Sequence, residues 1–154
     1  MAKIRFETVE QLQEKIGEEL SEGDWYPVTQ EQINLFAEAT GDYQWIHLDE
    51  KRAEKESPFG ATIAHGFLTL SLLTRLMGDT IELPRAQMTV NYGLNRVRFA
   101  APVPAGSRVR PRMTLLAIDE VTGGVQLTWR VIIEVEGSEK PACIAETLSR
   151  LYFA

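Results

Sequence analysis

The chain has 154 residues, 44% hydrophobic and 25% charged, with a formal net charge of −6. That length and composition describe one ordinary globular domain, residues 1–154, with a single core. The negative charge disfavours nucleic acid, which calls for a basic face, and no stretch approaches the ~20 apolar residues of a membrane span. The lone Cys143 excludes an intramolecular disulfide, and Met1-Ala2-Lys3-Ile4-Arg5 lacks the apolar run of a secretion signal. The expectation is a cytoplasmic protein without nucleic-acid or membrane partners.

The first half reads helical. Val9, Leu12 and Ile16 recur at helical spacing before Gly17. Thr29 and Gln32 fit a capping box that opens a helix carrying Ile33, Phe36 and Ala37, and Gly41 is placed to end it in a left-handed conformation. Asp49 caps a short helix over residues 50–56, which Ser57-Pro58 closes. The next helix is expected from His65 to Met77, stopping at Gly78. Phe67, Leu68, Leu70, Leu72, Leu73, Leu76 and Met77 cover most of its circumference, so burial on nearly all sides is expected.

After Pro84 the period changes to that of strands. Residues 87–99 read as a strand carrying Val90, Tyr92, Val97 and Phe99, and residues 143–153 as a last strand of weaker alternation. Val109, Met113, Leu115 and Ala117 alternate with Arg108, Arg110, Arg112 and Thr114. Val125, Leu127, Trp129, Val131, Ile133 and Val135 alternate without a miss. Turn residues at 101–106, 122–124 and 136–138 join them into an antiparallel meander that should wrap the apolar helix.

Chemistry concentrates in one quarter of the chain. Asp42 follows the helix-ending Gly41, where an aspartate serves as a turn residue or as an acid/base group. His47, in the apolar setting of Trp45 and Ile46, is either a structural histidine or an acid/base with a pKa near neutrality. The only other histidine, His65, precedes Gly66 at the start of the apolar helix. Gly66 offers an amide that no side chain obstructs, suited to a carbonyl oxygen gaining charge; close helix packing explains a glycine there equally well. Two histidines and one cysteine leave few zinc ligands, and Asp49 is better used as a cap, so no metal is expected. Nucleophile elbow, phosphate-loop and dinucleotide patterns are absent. Arg96, Arg98, Arg108, Arg110 and Arg112 read either as a phosphate-binding edge or as solvated strand positions.

Gly41-Asp42-Tyr43-Gln44-Trp45-Ile46-His47, followed by Ala64-His65-Gly66-Phe67, resembles the signature of the MaoC-like, (R)-specific enoyl-CoA hydratases (hydratase 2). Asn91 to Phe99, with Pro102-Val103 and Gly106, is similar to the strand and turn of the same family. The resemblance runs from about Thr29 to the C-terminus and is strongest to the single-hotdog bacterial members related to the nodulation protein N group. The family's Asp and His, with four residues between them, are kept as Asp42 and His47. Gln44-Trp45 stands where the family usually has Asn-Pro.

The resemblance implies an α+β hotdog, a curved antiparallel sheet around a long central helix, pairing as a homodimer. It implies that Asp42 and His47 activate a water and that Gly66, with His65 beside it, binds the thioester oxygen of a trans-2-enoyl-CoA. The product would be the (3R)-hydroxyacyl-CoA, formed without a cofactor. An acyl-carrier-protein dehydratase, a hotdog thioesterase and a non-catalytic acyl-thioester binder remain as alternatives.

Overall fold

Alternating apolar residues build a sheet on one side of the molecule, and the helical first half packs into its concave face. The computed structural model describes residues 2–20 and 22–153. In chain order the elements are β1 (Ile4–Arg5), α1 (Val9–Gln13), β2 (Tyr26–Pro27), α2 (Gln30–Thr40), α3 (Trp45–Leu48), α4 (Glu50–Glu56), α5 (Gly66–Ser71), α6 (Leu73–Thr80), β3 (Ile81–Glu82), β4 (Met88–Arg98), β5 (Arg108–Val121), β6 (Gly124–Val135) and β7 (Cys143–Tyr152). Among the described residues no helix is long and apolar enough to cross a membrane.

The large sheet is antiparallel with strand order β2-β5-β6-β7-β4, and β1 pairs with β3 in a small parallel ribbon. The expected meander holds for β5, β6 and β7 only. The first long strand, β4, pairs with the last, from Met88 opposite Tyr152 to Arg98 opposite Ile144, and the chain then crosses to the other side for β5. That crossing loop is tied down from two directions: the Ala64 amide donates to Val103 O at 2.8 Å, and the Gly106 amide to Val28 O at 2.7 Å. Register shifts near Tyr92, Asn95 and Leu116 mark bulges, which add twist and curl the sheet.

Inside the curl, Leu68, Leu72, Leu73 and Leu76 meet Met113, Leu115, Leu127, Trp129, Val131 and Ile133 in one core. The expected central helix is present with three corrections. It is divided at Leu72 into α5 and α6, and it runs through Gly78 to Thr80 before the chain turns into β3. A glycine inside a helix is tolerated when packing holds the flanking turns. It is also not buried on all sides, for Phe67 is 70% exposed.

Local sequence signals set the ends of the other helices. Thr29 Oγ1 accepts from the Gln32 amide and Asp49 Oδ1 from the Arg52 amide, as expected of N-caps. Gly41 adopts φ +81, a left-handed C-cap. The capping box is only half formed, since the Gln32 side chain donates to Tyr26 Oη instead of reaching back to Thr29.

Leu115 is fully buried at the centre of β5. Leu115→Ala is expected to lower stability by about 2–5 kcal/mol, read as a shifted urea midpoint at unchanged slope.

Candidate functional site

The site is assembled where α2, α3 and the extended segment before α5 meet. Gly41 turns the chain out of α2 and Asp42 closes a small turn, its Oδ1 accepting from the Gln44 amide at 3.3 Å. α3 is a single helical turn, closed by the Asp49 amide on Trp45 O at 3.0 Å. A proline is favoured at a first helical position. Trp45 occupies that position here, and the turn forms all the same, with the Arg52 guanidinium 4.1 Å over its ring.

Three bonds fix His47 within that turn. Its Nδ1 lies 2.7 Å from Ile63 O, and the Ile63 amide donates back to Ile46 O at 3.0 Å. The Gln30 side chain donates to His47 O at 2.8 Å while accepting from Thr62 Oγ1. A carbonyl only accepts, so the Nδ1 of His47 carries the proton and, in the neutral ring, Nε2 keeps its lone pair. Burial pushes the His47 pKa below its ordinary value of 6.5 and His65 adds to this, outweighing the Ile63 bond and the charge of Asp42. The result is a neutral imidazole with one nitrogen locked and the other a base.

His65 is buried and stacks on His47, with ring centroids 3.9 Å apart and planes 24° from parallel. Its Nε2 donates to the main-chain oxygen of Asp42 at 3.0 Å, tying the Asp42 turn to the histidine stack. Its Nδ1 is buried without a partner among the described residues. Phe36 packs on its other side at 4.9 Å. The side chain of His65 therefore faces inward, and the helix start that follows it is presented by Gly66.

Two features of Gly66 bear on its sequence readings. A Cβ there would sit 3.0 Å from the Phe99 ring, so close packing favours glycine. Its amide also lies in the first turn of α5, where N–H groups have no intrahelical acceptor. A cavity of about 320 Å³ adjoins it, lined in part by Phe59, Ile63, Thr69, Phe99 and Val103.

One donor atom each from Asp42, His47 and His65 lies within 4.8 Å of the others, the arrangement of a three-ligand metal site. The ring geometry argues against a shared ion. A metal lies in the plane of each imidazole that binds it at about 2.1 Å. Planes this nearly parallel and this far apart do not meet at that distance.

The remaining candidates fall away from the site. Arg108 pairs with Glu136, Arg110 with Glu134 and Glu22, and Arg112 with Glu19 and Glu134, so these arginines form a laced strand face. Arg96 and Arg98 sit on β4 at the other side of the sheet. Cys143 is fully buried opposite Ile133, and burial pushes its thiol up to about 11, which removes it as a nucleophile. Sequence reasoning missed Gln30, whose side chain joins α2 to both the His47 turn and the Thr62 segment. Its position at the start of α2 read only as part of a cap.

A family model described as the MaoC like domain matches residues 11–136. The 3-hydroxyacyl-thioester dehydratase Z of Mycobacterium tuberculosis is 51% identical over 146 residues, covering 94% of this chain and 96% of that protein. The nodulation protein N of Rhizobium leguminosarum bv. viciae is 46% identical, covering 90% and 88%. Among solved structures, the (R)-hydratase of A. caviae involved in PHA biosynthesis superposes with a TM-score of 0.67 at 23% identity, covering 88% of this chain and 96% of that one. The unliganded R-hydratase PhaJ1 of Pseudomonas aeruginosa gives 0.68 at 23%, covering 90% and 83%. At that identity the structural likeness speaks for the hotdog architecture.

The geometry makes the protonation of His47 directly observable. Nitrogen-detected NMR of the two ring systems is expected to show the Nδ1–H tautomer for His47 and a titration midpoint below 6.5. An unfolded His47 binds protons where the folded one does not, so acidification through pH 6.5 should also lower stability. A midpoint at or above 6.5 would contradict the buried, neutral ring.

Proposed function

The chain belongs to the MaoC-like domain family, and on that premise we propose that it is a hydro-lyase that interconverts trans-2-enoyl-CoA and (3R)-hydroxyacyl-CoA. The observation that carries the reading is a tautomer-locked, neutral His47 grouped within 4.8 Å with Asp42 and with the stacked His65, the residue that leads into the helix start at Gly66.

In the hydration direction, Asp42 and His47 hold one water. His47 Nε2 takes a proton from it as the oxygen bonds to the β-carbon. Electron density moves through the α-carbon to the thioester oxygen, where the Gly66 N–H stabilises the developing enolate. The proton now on the acid/base pair is delivered to the α-carbon, and the carbonyl reforms. One O–H bond and the carbon–carbon π bond are lost; one C–O and one C–H bond are made. Dehydration of the hydroxyacyl thioester is the same path reversed, which agrees with the activity named for the M. tuberculosis relative. A single oxyanion donor is worth roughly 3–4 kcal/mol and a positioned acid/base about 10²–10⁴-fold.

His65 enters this scheme as a positioning residue, since its ring backs His47 and its Nε2 holds the Asp42 turn. A homodimer fits the exposed edge. Among the described residues β4 has a strand partner on one side only, and it carries the exposed Met88, Tyr92 and Leu94. An unpaired strand with such side chains is a template for a second copy of itself.

Crotonyl-CoA hydration, followed by loss of the enoyl thioester absorbance with chiral analysis of the product, tests the assignment. Asp42→Asn and His47→Gln are each expected to lower kcat by about 10²-fold or more with the circular dichroism unchanged. Full activity in both variants, or an (S) product, would reject it. Sedimentation should show a dimer that Leu94→Lys converts to monomer.

A further inference from the structure

Gln44-Trp45 is the part of the signature segment that the scheme above leaves without a role. Neither residue lines the cavity beside Gly66, and neither lines the larger one, of about 500 Å³, that Leu73, Met77, Leu94 and Thr147 help to enclose. Trp45 therefore does not act by touching a molecule held in either space. Its ring meets the Arg52 guanidinium instead, 4.1 Å from the centroid. What depends on that contact is the turn that carries His47. α3 has four residues, and a helix of one turn does not sustain itself. Gln44 gives it no side-chain cap bond among the described residues. Each helical residue advances the direction by about 100°, so Trp45 and His47, two apart, project from nearly opposite faces. The His47 face is held by Ile63, by Gln30 and by the packing of Leu48 on the core. On the other face Arg52 holds Trp45.

Arg52 is itself anchored. Its amide donates to Asp49 Oδ1 at 3.0 Å, and its Nε to Glu56 Oε2 at 2.7 Å. Asp49 in turn closes α3, its amide donating to Trp45 O at 3.0 Å. Trp45, Asp49 and Arg52 thus join α3 to α4 in a closed corner. The backbone shows what the stack replaces. Gln44 lies at φ −57, ψ 138, the conformation that a residue before proline adopts. A proline at position 45 would fit this backbone and would preset the first helical φ by its own ring. Trp45 has no such restraint, and the guanidinium over its indole supplies one through contact.

We propose that Trp45 and Arg52 act together as positioning residues, the stacked pair holding the α3 turn so that His47 keeps its Nδ1 on Ile63 O. The kinetic consequence rests on the hydro-lyase reading above; the orientation of the ring does not. The pair tunes the rate through the ring it steadies and leaves the choice of acyl chain alone.

Arg52→Ala is expected to lower kcat for crotonyl-CoA by about two- to fivefold, the worth of a partly exposed cation–π contact, with KM unchanged. The same factor should apply to trans-2-decenoyl-CoA, because neither residue lines a cavity. Arg52→Lys keeps a cation over the ring and should recover part of the loss. Trp45→Pro fixes the turn covalently, so in that background Arg52→Ala should cost nothing. If Trp45→Pro folds poorly, Trp45→Leu serves, since a side chain without a π face also leaves Arg52→Ala nothing to remove. Nitrogen-detected NMR reads the same event at the ring. In Arg52→Ala the Nε2–H fraction of neutral His47 should rise by the same factor, and in the proline or leucine background it should not. A lost surface charge moves a titration but not this tautomer ratio. Three results overturn the proposal: wild-type kcat and tautomer ratio in Arg52→Ala, an equal loss from Arg52→Ala in every background, or a loss in KM or in one chain length alone. Absence of crotonyl-CoA hydration by the wild-type protein rejects the hydro-lyase reading instead, and the tautomer ratio then decides the positioning role alone.

Discussion

The hydrogen bond from His47 Nδ1 to the carbonyl of Ile63 is the constraint on which the site depends. It decides which nitrogen of the ring is basic, and it joins the helical layer to the extended segment that leads into α5. Ile63 is itself anchored twice, by its amide on Ile46 and through a bridge to Pro104. A rotation of the ring would therefore need several main-chain bonds to break together. Geometry of that kind keeps an imidazole oriented without help from a neighbouring carboxylate. Asp42 is thereby left free to face solvent, and it is exposed.

Burial and hydrogen bonding work in opposite directions at this histidine, and burial prevails. Desolvation favours the neutral ring, whereas the Ile63 carbonyl and Asp42 favour the charged one. The stacked His65 tips the balance further, since two cationic rings at 3.9 Å would repel. The rings of Phe36, His65 and His47 form one continuous stack behind the Asp42 turn. By contrast, the arginine–glutamate ladder on β5 is half exposed, where solvent screens each pair and leaves it little to contribute. Charge matters most here where there is least of it.

Much of this was legible from the sequence, for reasons that can be named. Thr29, Asp49 and Gly41 act through bonds spanning two to four residues, so their roles as caps and breaks need no tertiary information. The alternation over Val125 to Val135 reports one buried face, and that face is buried. What escaped is non-local. β4 has no local reason to choose β7 over β5; that choice depends on a crossing loop held by Val28 and Ala64. The apolar all-round pattern of α5 does not say which residues find partners, so Phe67 read as buried. The spacing of Asp42 and His47 marked the two as candidates, but the stacking of His65 on His47 and the Gln30 brace join residues 17 to 32 positions apart. Periodicity carries no such signal.

The pairing of β4 with β7 bears on the order in which the molecule acquires its parts. Asp42, His47 and His65 all leave the ribosome before residue 66, yet the Ala64 amide has no acceptor until Val103 arrives, and β4 has no strand partner until β7 does. Closing so long a loop is entropically slow, and contacts of high sequence separation form late in folding. The histidine pair and its braces are thus synthesised early, while the sheet that backs them is completed last. Truncating β7 would leave β4 without its strand partner.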